Sequence, residues 1–397
     1  MNYRQLRQDI QRWGEELGFR AIGVADLDLT EEEERLRTWL AADRHGDMHY
    51  MAAHGTKRTR PAELVPGTRR VISARMDYLP ENGMRDALRV LGDPQQGYIA
   101  RYALGRDYHK VLRRRLARLA KRIREAAEGG SYYPTSQVPH ATAGNNLSIN
   151  QRNIIEGGCG ARHYRELQIP ETRVFVDSAP VLEKALARNA GPGWIGKHTN
   201  LIERSAGSWF LLGEIYTNLP LPADGREIRP PHGHCGTCRA CMTACPTGAI
   251  VAPWQLDARR CVSYLTIEYC GSIPLALRAG IGNRVFGCDD CQLACPWNRF
   301  ARVTKEADFL PRNGLDAPSL AALFRWSEAE FRERTTGSAL RRVGYEGWLR
   351  NIAVAIGNAP PSARLIALLE ERAGHPSPLV AEHVAWAIER QSSKCEV

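Results

Sequence analysis

Residues 235–246 read CGTCRACMTACP, and the cysteine spacing in this stretch indicates which cofactors the surrounding chain must bind. Its cysteines have the spacing C-x2-C-x2-C-x3-C and are followed by proline. In bacterial ferredoxins this spacing gives three thiolates to one [4Fe-4S] cluster and a fourth thiolate to a second cluster. Two clusters are therefore predicted, with ligands in this stretch at Cys235, Cys238, Cys241 and Cys245.

A second cysteine run, GCDDCQLACP at 287–296, provides the other half of this arrangement. It contains three thiols, and Cys261 lies upstream to complete a set of four. Soft, deprotonated sulfur at four corners is the ligation that a cubane cluster requires. By ferredoxin logic the first cluster binds Cys235, Cys238, Cys241 and Cys295, and the second binds Cys245, Cys261, Cys288 and Cys291.

Structural zinc is the alternative for these cysteines, because zinc sites also use paired C-x2-C motifs. Zinc sites rarely have the triple spacing followed by proline, so clusters are favoured. Three further cysteines, Cys159, Cys270 and Cys395, fall outside the spacing and are interpreted as free thiols without an assigned role.

Composition limits the class of protein. The chain has 397 residues, a formal net charge of +10, 43% hydrophobic residues and 11 cysteines. This mixture excludes disorder, collagen, coiled coil and a small disulfide scaffold, and the length predicts two or three domains. The N-terminus lacks a signal-like apolar stretch, and no run approaches the ~18 apolar residues of a membrane span. We expect a cytoplasmic protein without membrane contact, whose cysteines are reduced.

Three segments are predicted. Residues 1–222 form an α/β (α+β) domain, with helices at 2–18, 30–43 and 107–128, strands at 21–27, 70–76, 97–103 and 173–179, and an insertion at about 129–171. The proline-rich stretch 218–234 indicates a boundary, and residues 223–304 form a ferredoxin-like two-cluster domain. In the helical tail 305–397, residues 348–359 resemble 380–391, with Ala353 and Ile356 matching Ala385 and Ile388. This favours HEAT-like repeats packed on the preceding domains.

Positive charge is concentrated at two places. Residues 57–75 carry six Lys/Arg against one Glu, and residues 110–128 carry eight against two. The second stretch has a helical apolar stripe, Leu112, Leu116, Leu119 and Ile123, so its other faces are basic. A polyanion partner and a merely solvated basic surface are both compatible with this pattern.

Candidate residues outside the cysteines are less specific. Asp177 follows the apolar strand 174–176, at a position where such proteins place ligands, although a helix cap explains it equally well. The sequence GPGWIG at 191–196 matches G-x-G-x-x-G but follows a helical stretch, so a helix end and turn is preferred to dinucleotide binding. Lys197 and His198 are compatible with a site and with a solvated surface.

Taken together, the residues resemble the epoxyqueuosine reductase family, cobalamin-dependent iron–sulfur enzymes of tRNA queuosine synthesis. The resemblance runs nearly end to end and departs at about 129–171. It is carried by ARYALGRDYHKVLR (100–113), RVFVDSAPVLEKALA (173–187), GWIGKHTNLI (193–202), CMTACPTGAIV (241–251), DARRCVSYLTIE (257–268), GNRVFGCDDCQLACPWNR (282–299) and WLRNIAVAIGNAP (348–360).

The resemblance implies a cobalamin, resting as cob(II)alamin, bound between the α/β domain and the cluster domain. It implies that an epoxide on tRNA is reduced to the alkene in the last step of queuosine synthesis. Asp177 becomes the proton donor, and burial is expected to keep its carboxyl protonated. Positions at or near the corrin are Arg58, Ala100, Asp177, Lys197, His198, Ser263, Asp289 and Asp290.

Partners follow from the same resemblance. A tRNA carrying epoxyqueuosine is the expected substrate, an external flavodoxin- or ferredoxin-type protein the electron donor, and the chain a monomer. Two alternatives remain: a corrinoid reductive dehalogenase-like enzyme, and a non-catalytic electron-transfer module. The expected tRNA phosphate contacts are Arg114, Arg115, Arg122, Arg341, Arg342 and Arg350.

Overall fold

The computed structural model describes residues 2–129, 170–191, 193–225 and 235–395, with side chains up to 393. The predicted insertion therefore lies almost wholly outside the described residues, and so do Cys159 and the side chain of Cys395. No helix in the described part of the chain is long and apolar enough to cross a membrane.

The first segment is built on a four-stranded sheet in the order β1-β2-β7-β4. Every pairing within it is antiparallel, so this is an α+β sheet and not the parallel sheet of a doubly wound fold. The strands are β1 Ala21–Ala25, β2 Arg70–Asp77, β3 Tyr98–Ile99, β4 Thr172–Phe175, β5 Gly193–Ile195, β6 Leu201–Glu203, β7 Phe210–Thr217, β8 Ile250–Ala252, β9 Gln255–Leu256 and β10 Arg284–Phe286.

The helices predicted in the first segment are confirmed as α1, α2 and α5. All four residues of the α5 apolar stripe are fully buried and belong to the core of the sheet. The helices are α1 Tyr3–Glu16, α2 Thr30–Ala41, α3 Pro61–Leu64, α4 Gly83–Gly92, α5 Tyr108–Glu128, α6 Glu183–Asn189, α7 Ala240–Ala244, α8 Val262–Ile267, α9 Leu275–Ile281, α10 Asp290–Leu293, α11 Leu320–Phe324, α12 Glu328–Arg334, α13 Gly344–Asn358, α14 Ala363–Glu370 and α15 Pro378–Cys395.

The strand predictions hold for β1, β2 and β4 but not for the stretch 97–103. Only Tyr98 and Ile99 are extended there, and residues 101–103 form a turn of 3-10 helix. Strand β7 was not predicted, although it pairs with both β2 and β4. The glycine motif follows helix α6, and its residues 193–195 form strand β5 of the β5–β6 hairpin, so it lacks the strand-turn-helix context of a dinucleotide site.

One hydrophobic cluster contains residues of all three predicted segments. Ile99, Ala103 and Leu104 of the first segment and Val285 and Phe286 of the second are buried with helices of the tail, which confirms that the tail packs on the preceding segments. Strands β3 and β10 pair in parallel across the same junction. Helices α13 and α15 pack together, but Ala353 is buried whereas Ala385 is exposed, so the two helices use different faces.

Arg350 ties the tail to the cluster segment, which corrects its predicted role. The side chain is fully buried. Its guanidinium donates hydrogen bonds to the carbonyl oxygens of Leu265 at 2.8 Å, Tyr269 at 2.6 Å and Gly271 at 3.0 Å. Arg350 is therefore a structural cation and is not available to a tRNA phosphate.

Two buried glutamates at the sheet have opposite environments. Glu203 accepts hydrogen bonds from Arg20 and Arg75, each at 2.7 Å; burial alone would raise its pKa, but these arginines lower it to about 2. Glu214, in the middle of β7, is fully buried, and neither of its carboxyl oxygens has a hydrogen-bond partner among the described residues. Burial, with Glu183 and Asp177 nearby, raises the pKa of Glu214 well above its ordinary value.

We expect Glu214→Gln to raise the melting temperature at pH 8 and to have less effect at pH 5. The folded protein keeps a proton on Glu214 that the unfolded chain releases, so the wild-type carboxyl costs stability as the pH rises above the pKa of an unfolded glutamate. The measurement is thermal unfolding of both proteins between pH 5 and pH 8. A Glu214→Gln protein that is less stable than wild type at pH 8 would contradict this.

Glu203→Gln is the matched control, with the opposite sign. Its lowered pKa means that Glu203 stabilises the fold above the pKa of an unfolded glutamate and loses this effect only as the pH falls toward about 2. Removing the charge leaves Arg75 buried without a carboxylate, which costs about 3 kcal/mol for a buried pair.

Candidate functional site

A cavity of about 700 Å³ lies where the three segments meet. The first segment contributes Arg58 and Asp177, the cluster segment contributes Trp254 and Glu268, and the tail contributes Arg342. This volume is within the range of cofactor and substrate pockets. The junction between the segments is thus the candidate active site.

Unusual backbone geometry is concentrated at this cavity. Six non-glycine residues in the described part of the chain have a positive φ, and three of them line the cavity: Asp177 at 47°, Thr199 at 67° and Trp254 at 61°. Such conformations persist when the surrounding structure enforces them, and they cluster at functional sites. The strained residues support the assignment of the cavity.

Asp177 is the centre of a hydrogen-bond network. It follows strand β4, and its side chain is 42% exposed toward the cavity. The hydroxyl of Tyr108 donates to Asp177 Oδ2, and His109 Nε2 lies 3.1 Å from the same oxygen. His109 Nδ1 lies 2.8 Å from Asp107 Oδ1, so the imidazole is held between two carboxyl groups.

The pKa of Asp177 is lowered, whereas burial was expected to keep this carboxyl protonated. Burial raises its pKa, but the hydrogen bonds from His109 and Tyr108 outweigh burial, and the pKa is lowered overall. For His109, burial lowers the pKa, but the hydrogen bonds to Asp107 and Asp177 raise it to about 9. At neutral pH the exchangeable proton of the pair is therefore on His109, and Asp177 is a carboxylate.

A further acid lies behind Asp177. Burial, followed by the charge of Asp177, raises the pKa of Glu183 to about 8. Glu183 begins helix α6 and lines the cavity. The wall behind Asp177 thus holds a protonated carboxyl at neutral pH.

The first predicted cysteine set comes together in the fold. Burial and the nearby thiols of Cys235, Cys241 and Cys238 together raise the pKa of Cys295 to about 11. Cys295 and Cys235 pack with Trp194 of strand β5. The four thiols predicted for the first cluster are therefore neighbours.

The thiols of the second predicted set are also close together. Burial raises the pKa of Cys291, and so do the nearby thiols of Cys261 and Cys245. Cys288 packs in one apolar cluster with Cys261, and its thiol donates to Asp290 Oδ2 at 2.7 Å. Cys241 of the first set also raises the pKa of Cys291, so the two sets are adjacent.

The donor chemistry fits iron–sulfur clusters. Eight thiols in two adjacent sets are buried or half-buried except for Cys238, and burial opposes the thiolate form until a cation compensates the charge. In the described ranges, no three His, Cys, Asp or Glu side chains are placed to hold a single metal ion. Cys270, outside both sets, is exposed.

The predicted corrin contacts divide between the cavity and the cluster loops. Arg58 is buried in the cavity wall, and its Nε has no hydrogen-bond partner among the described residues. His198 is buried beside Thr199; its Nδ1 accepts from the Asn200 amide at 3.1 Å, and Nε2 has no partner in the described part of the chain. Two unpaired donors near the cavity fit a cofactor rich in amide carbonyls.

The other predicted contacts support the cysteine loops directly. Lys197 Nζ donates to the carbonyl oxygens of Gly236 at 2.6 Å and Cys238 at 2.9 Å, beside the first set. Ser263 Oγ donates to the Cys288 carbonyl at 3.4 Å.

Two aspartates and an alanine brace the loop of the second set. Asp289 accepts from the Tyr98 hydroxyl at 2.6 Å and the Arg101 amide at 2.8 Å, and Asp290 pairs with Arg284. Ala100 packs against Gly287, whose φ of 69° and close approach to Ala100 leave no room for a side chain.

The predicted tRNA arginines are not equivalent. Arg114 is 57% exposed and lies 3.4 Å from Asp308, whereas Arg115 and Arg122 are paired with Glu306 and Glu16. Arg341 is exposed. Arg342 lines the cavity and pairs with Glu268 at 2.9 Å, so it lies at the candidate active site itself.

Sequence reasoning missed Tyr108 and His109. Both lie in the quoted motif at 100–113, and the sequence Asp107-Tyr108-His109 begins helix α5, where Asp107 is the N-cap. Three neighbouring residues with acid–base side chains at a helix start are a signal that could have been used. Their partner Asp177 is distant in sequence, so the network appears only in the fold.

Two protein-family models match separate parts of the chain. A family model described as "Epoxyqueuosine reductase QueG, DUF1730" matches residues 58–135, and one described as "4Fe-4S double cluster binding domain" matches residues 234–298. The cysteine segment is therefore a double [4Fe-4S] domain, and the zinc alternative is set aside.

Relatives cover nearly the whole chain. An epoxyqueuosine reductase of Pseudomonas aeruginosa is 53% identical over 386 residues, 97% of this chain and 94% of the relative. One from Escherichia coli K12 is 49% identical, covering 98% and 91%.

Solved structures agree with these relatives. A crystal structure of epoxyqueuosine reductase with an epoxyqueuosine-modified tRNA-Tyr stem loop has a TM-score of 0.79 at 27% identity, covering 98% of this chain and 91% of that one. The enzyme from Streptococcus thermophilus has a TM-score of 0.76 at 26% identity, covering 98% and 90%. With this coverage and identity, the chain belongs to the epoxyqueuosine reductase family of oxidoreductases.

Proposed function

We propose that this protein reduces epoxyqueuosine to queuosine at the wobble position of tRNA. The observation that carries the proposal is the network of Asp177, Tyr108 and His109, which opens into a cavity that the cluster segment also lines through Trp254 and Glu268. A proton-delivering group and a source of electrons are the two requirements for removing an epoxide oxygen as water.

Cobalamin is the proposed cofactor of the cavity. Arg58 and His198 would hold it, because each offers a buried donor that lacks a partner among the described residues. Ala100 and Asp289, which brace the loop of the second cysteine set, are the further residues proposed to lie near it. When bound, cobalamin supplies low-potential reducing power to the substrate carbon.

The residues of the chain supply the first proton. His109 is protonated at neutral pH, and its Nε2 hydrogen points at Asp177 Oδ2. As the epoxide oxygen gains negative charge, Asp177 delivers this proton to it, and His109 becomes neutral. Tyr108 holds the carboxylate in place through its hydroxyl.

Recognition of tRNA is assigned to the basic face of α5 and to the tail. Arg106, Lys110, Arg114 and Arg312 surround a second depression beside Asp107, the residue that positions His109. Phosphates bound there would orient the anticodon stem so that its wobble nucleotide reaches Asp177. The HEAT-like character of the tail, the monomeric state and the domain limits at 222 and 304 remain predictions.

We expect Asp177→Asn to lower turnover about 100-fold or more while leaving iron and corrin content unchanged, because general acid catalysis contributes factors of this size. The measurement is nucleoside analysis of epoxyqueuosine tRNA after reaction with anaerobically purified protein. The control is Asp86→Asn, on the half-exposed surface of α4, which should retain wild-type turnover. Near-normal turnover of Asp177→Asn would exclude Asp177 as the proton donor.

The cluster assignment predicts a loss of half of the iron from Cys291→Ser. Wild-type protein should contain about eight iron atoms per chain and the variant about four, because one cubane loses a thiolate ligand. Cys270→Ser is the matched control, since this exposed thiol lies outside both sets. Iron and sulfide analysis decides the matter, and a Cys270→Ser protein with equally reduced iron would contradict the assignment.

Charge reversal at Arg114 should weaken binding of the tRNA stem loop and reduce the salt dependence of log K by about one unit of slope per lost phosphate contact. The affinity is measured between 50 and 200 mM salt. Arg89→Glu, on α4 and also about half exposed, is the control. Equal effects of Arg114→Glu and Arg89→Glu would show that only net charge matters.

A further inference from the structure

A shallow basic depression lies on the surface at helix α7, between Cys241 of the first set and Cys245 of the second. It has a volume of about 470 Å³ and is lined by Arg239, Met242, Thr243, Val251 and Arg260, with Gly248 and Ile250 at its floor. We call the first five residues the carrier face. Nothing in the proposed reaction at Asp177 accounts for it.

The position of the carrier face relative to the thiols is specific. Met242 and Thr243 lie on α7, between Cys241 of the first set and Cys245 of the second. Arg239 directly follows Cys238, and Arg260 directly precedes Cys261. A protein bound here would therefore contact residues that are next in sequence to predicted ligands of both clusters.

Both charged residues of the carrier face are positive, Arg239 and Arg260. Residues 235–256 contain no Asp or Glu. Arg239 and Arg260 are both exposed, and neither forms an ion pair with another described residue; Arg260 uses its Nε to donate to the Thr247 carbonyl at 3.1 Å. The nearby Asp257 is occupied by Arg259 at 2.8 Å, so two guanidinium groups remain for a partner.

The middle of the face is apolar. Val251 is 41% exposed, and Met242 beside it is half-buried. An apolar centre with a cationic rim suits a small, transient interface, in which opposite charge steers the encounter and little area is buried. No residue of the carrier face lines the cavity at Asp177, so both surfaces can be occupied at once.

We propose that the carrier face is the docking site of a small acidic one-electron carrier protein. This rests on the proposed function, because deoxygenation of the epoxide consumes two electrons that the chain does not itself generate. In each encounter the carrier is oxidised by one electron and a cluster is reduced by one, so two encounters serve one turnover. Carboxylates of the carrier pair with Arg239 and Arg260.

The test is the rate at which a reduced flavodoxin bleaches the cluster absorbance of the holoenzyme in anaerobic stopped flow. The variant with both Arg239→Glu and Arg260→Glu should react at least tenfold more slowly than wild type at low ionic strength. The difference should shrink at high salt, where surface charges are screened. Reduction by dithionite, a small reagent that needs no docking, should proceed at the wild-type rate.

The matched control reverses two exposed arginines elsewhere, Arg85→Glu with Arg89→Glu on α4, and should leave the flavodoxin rate unchanged. If the carrier-face variant loses iron, the neutral pair Arg239→Gln with Arg260→Gln replaces it and should show a smaller but clear slowing. Wild-type flavodoxin rates in an iron-replete variant would overturn the proposal. So would loss of tRNA stem-loop affinity with the flavodoxin rate retained, which would make the face an RNA contact.

Failure of the proposed function would be visible separately. Wild-type protein driven by dithionite would then form no queuosine, while the flavodoxin bleaching rates would still report on docking.

Discussion

Each cluster site must gather thiols from both ends of the cluster segment, and this requirement fixes the geometry of its surroundings. Cys295 lies near Cys235, and Cys291 lies near Cys245, so the two predicted ligand sets each draw on both cysteine loops. The first segment is fastened to the same loop, because Lys197 donates to the carbonyls of Gly236 and Cys238. The backbone carbonyl of Lys197 in turn accepts from the Trp254 amide at 3.1 Å.

The cavity lies beside these contacts of Lys197 with the cluster segment. Trp254 and Thr199 line it on either side of the Lys197 contact, both with strained backbone, and Asp177 completes the wall with a third positive φ. Arg350 joins the tail to the cluster segment by donating hydrogen bonds to three of its carbonyl oxygens. A rigid site assembled from three segments suits chemistry in which proton and electron must reach one substrate atom.

Much of this arrangement could be predicted from sequence where a pattern had one physical meaning. The cysteine spacing predicted the double [4Fe-4S] segment, and the stripe through Leu116 and Ile123 predicted helix α5. Strand β7 was missed because it is buried on both faces, so it has no alternation, and Gly213 and Glu214 interrupt its apolar run. Arg350 was misassigned because a positive charge in a sequence does not reveal whether backbone carbonyls or phosphates satisfy it. The ionised state of Asp177 depended on Tyr108 and His109, which only the fold brings to it.

In the proposed arrangement one cavity, bounded by all three segments, holds the corrin beside Asp177 and the second cysteine set. Anomalous X-ray scattering from crystals of the holoenzyme, recorded at the cobalt and iron edges, tests it directly. We expect a single cobalt peak inside the cavity lined by Arg58, Asp177 and Trp254, and two iron peaks at the cysteine sets. Iron at the cysteines with cobalt absent from this cavity, or bound elsewhere, would contradict it.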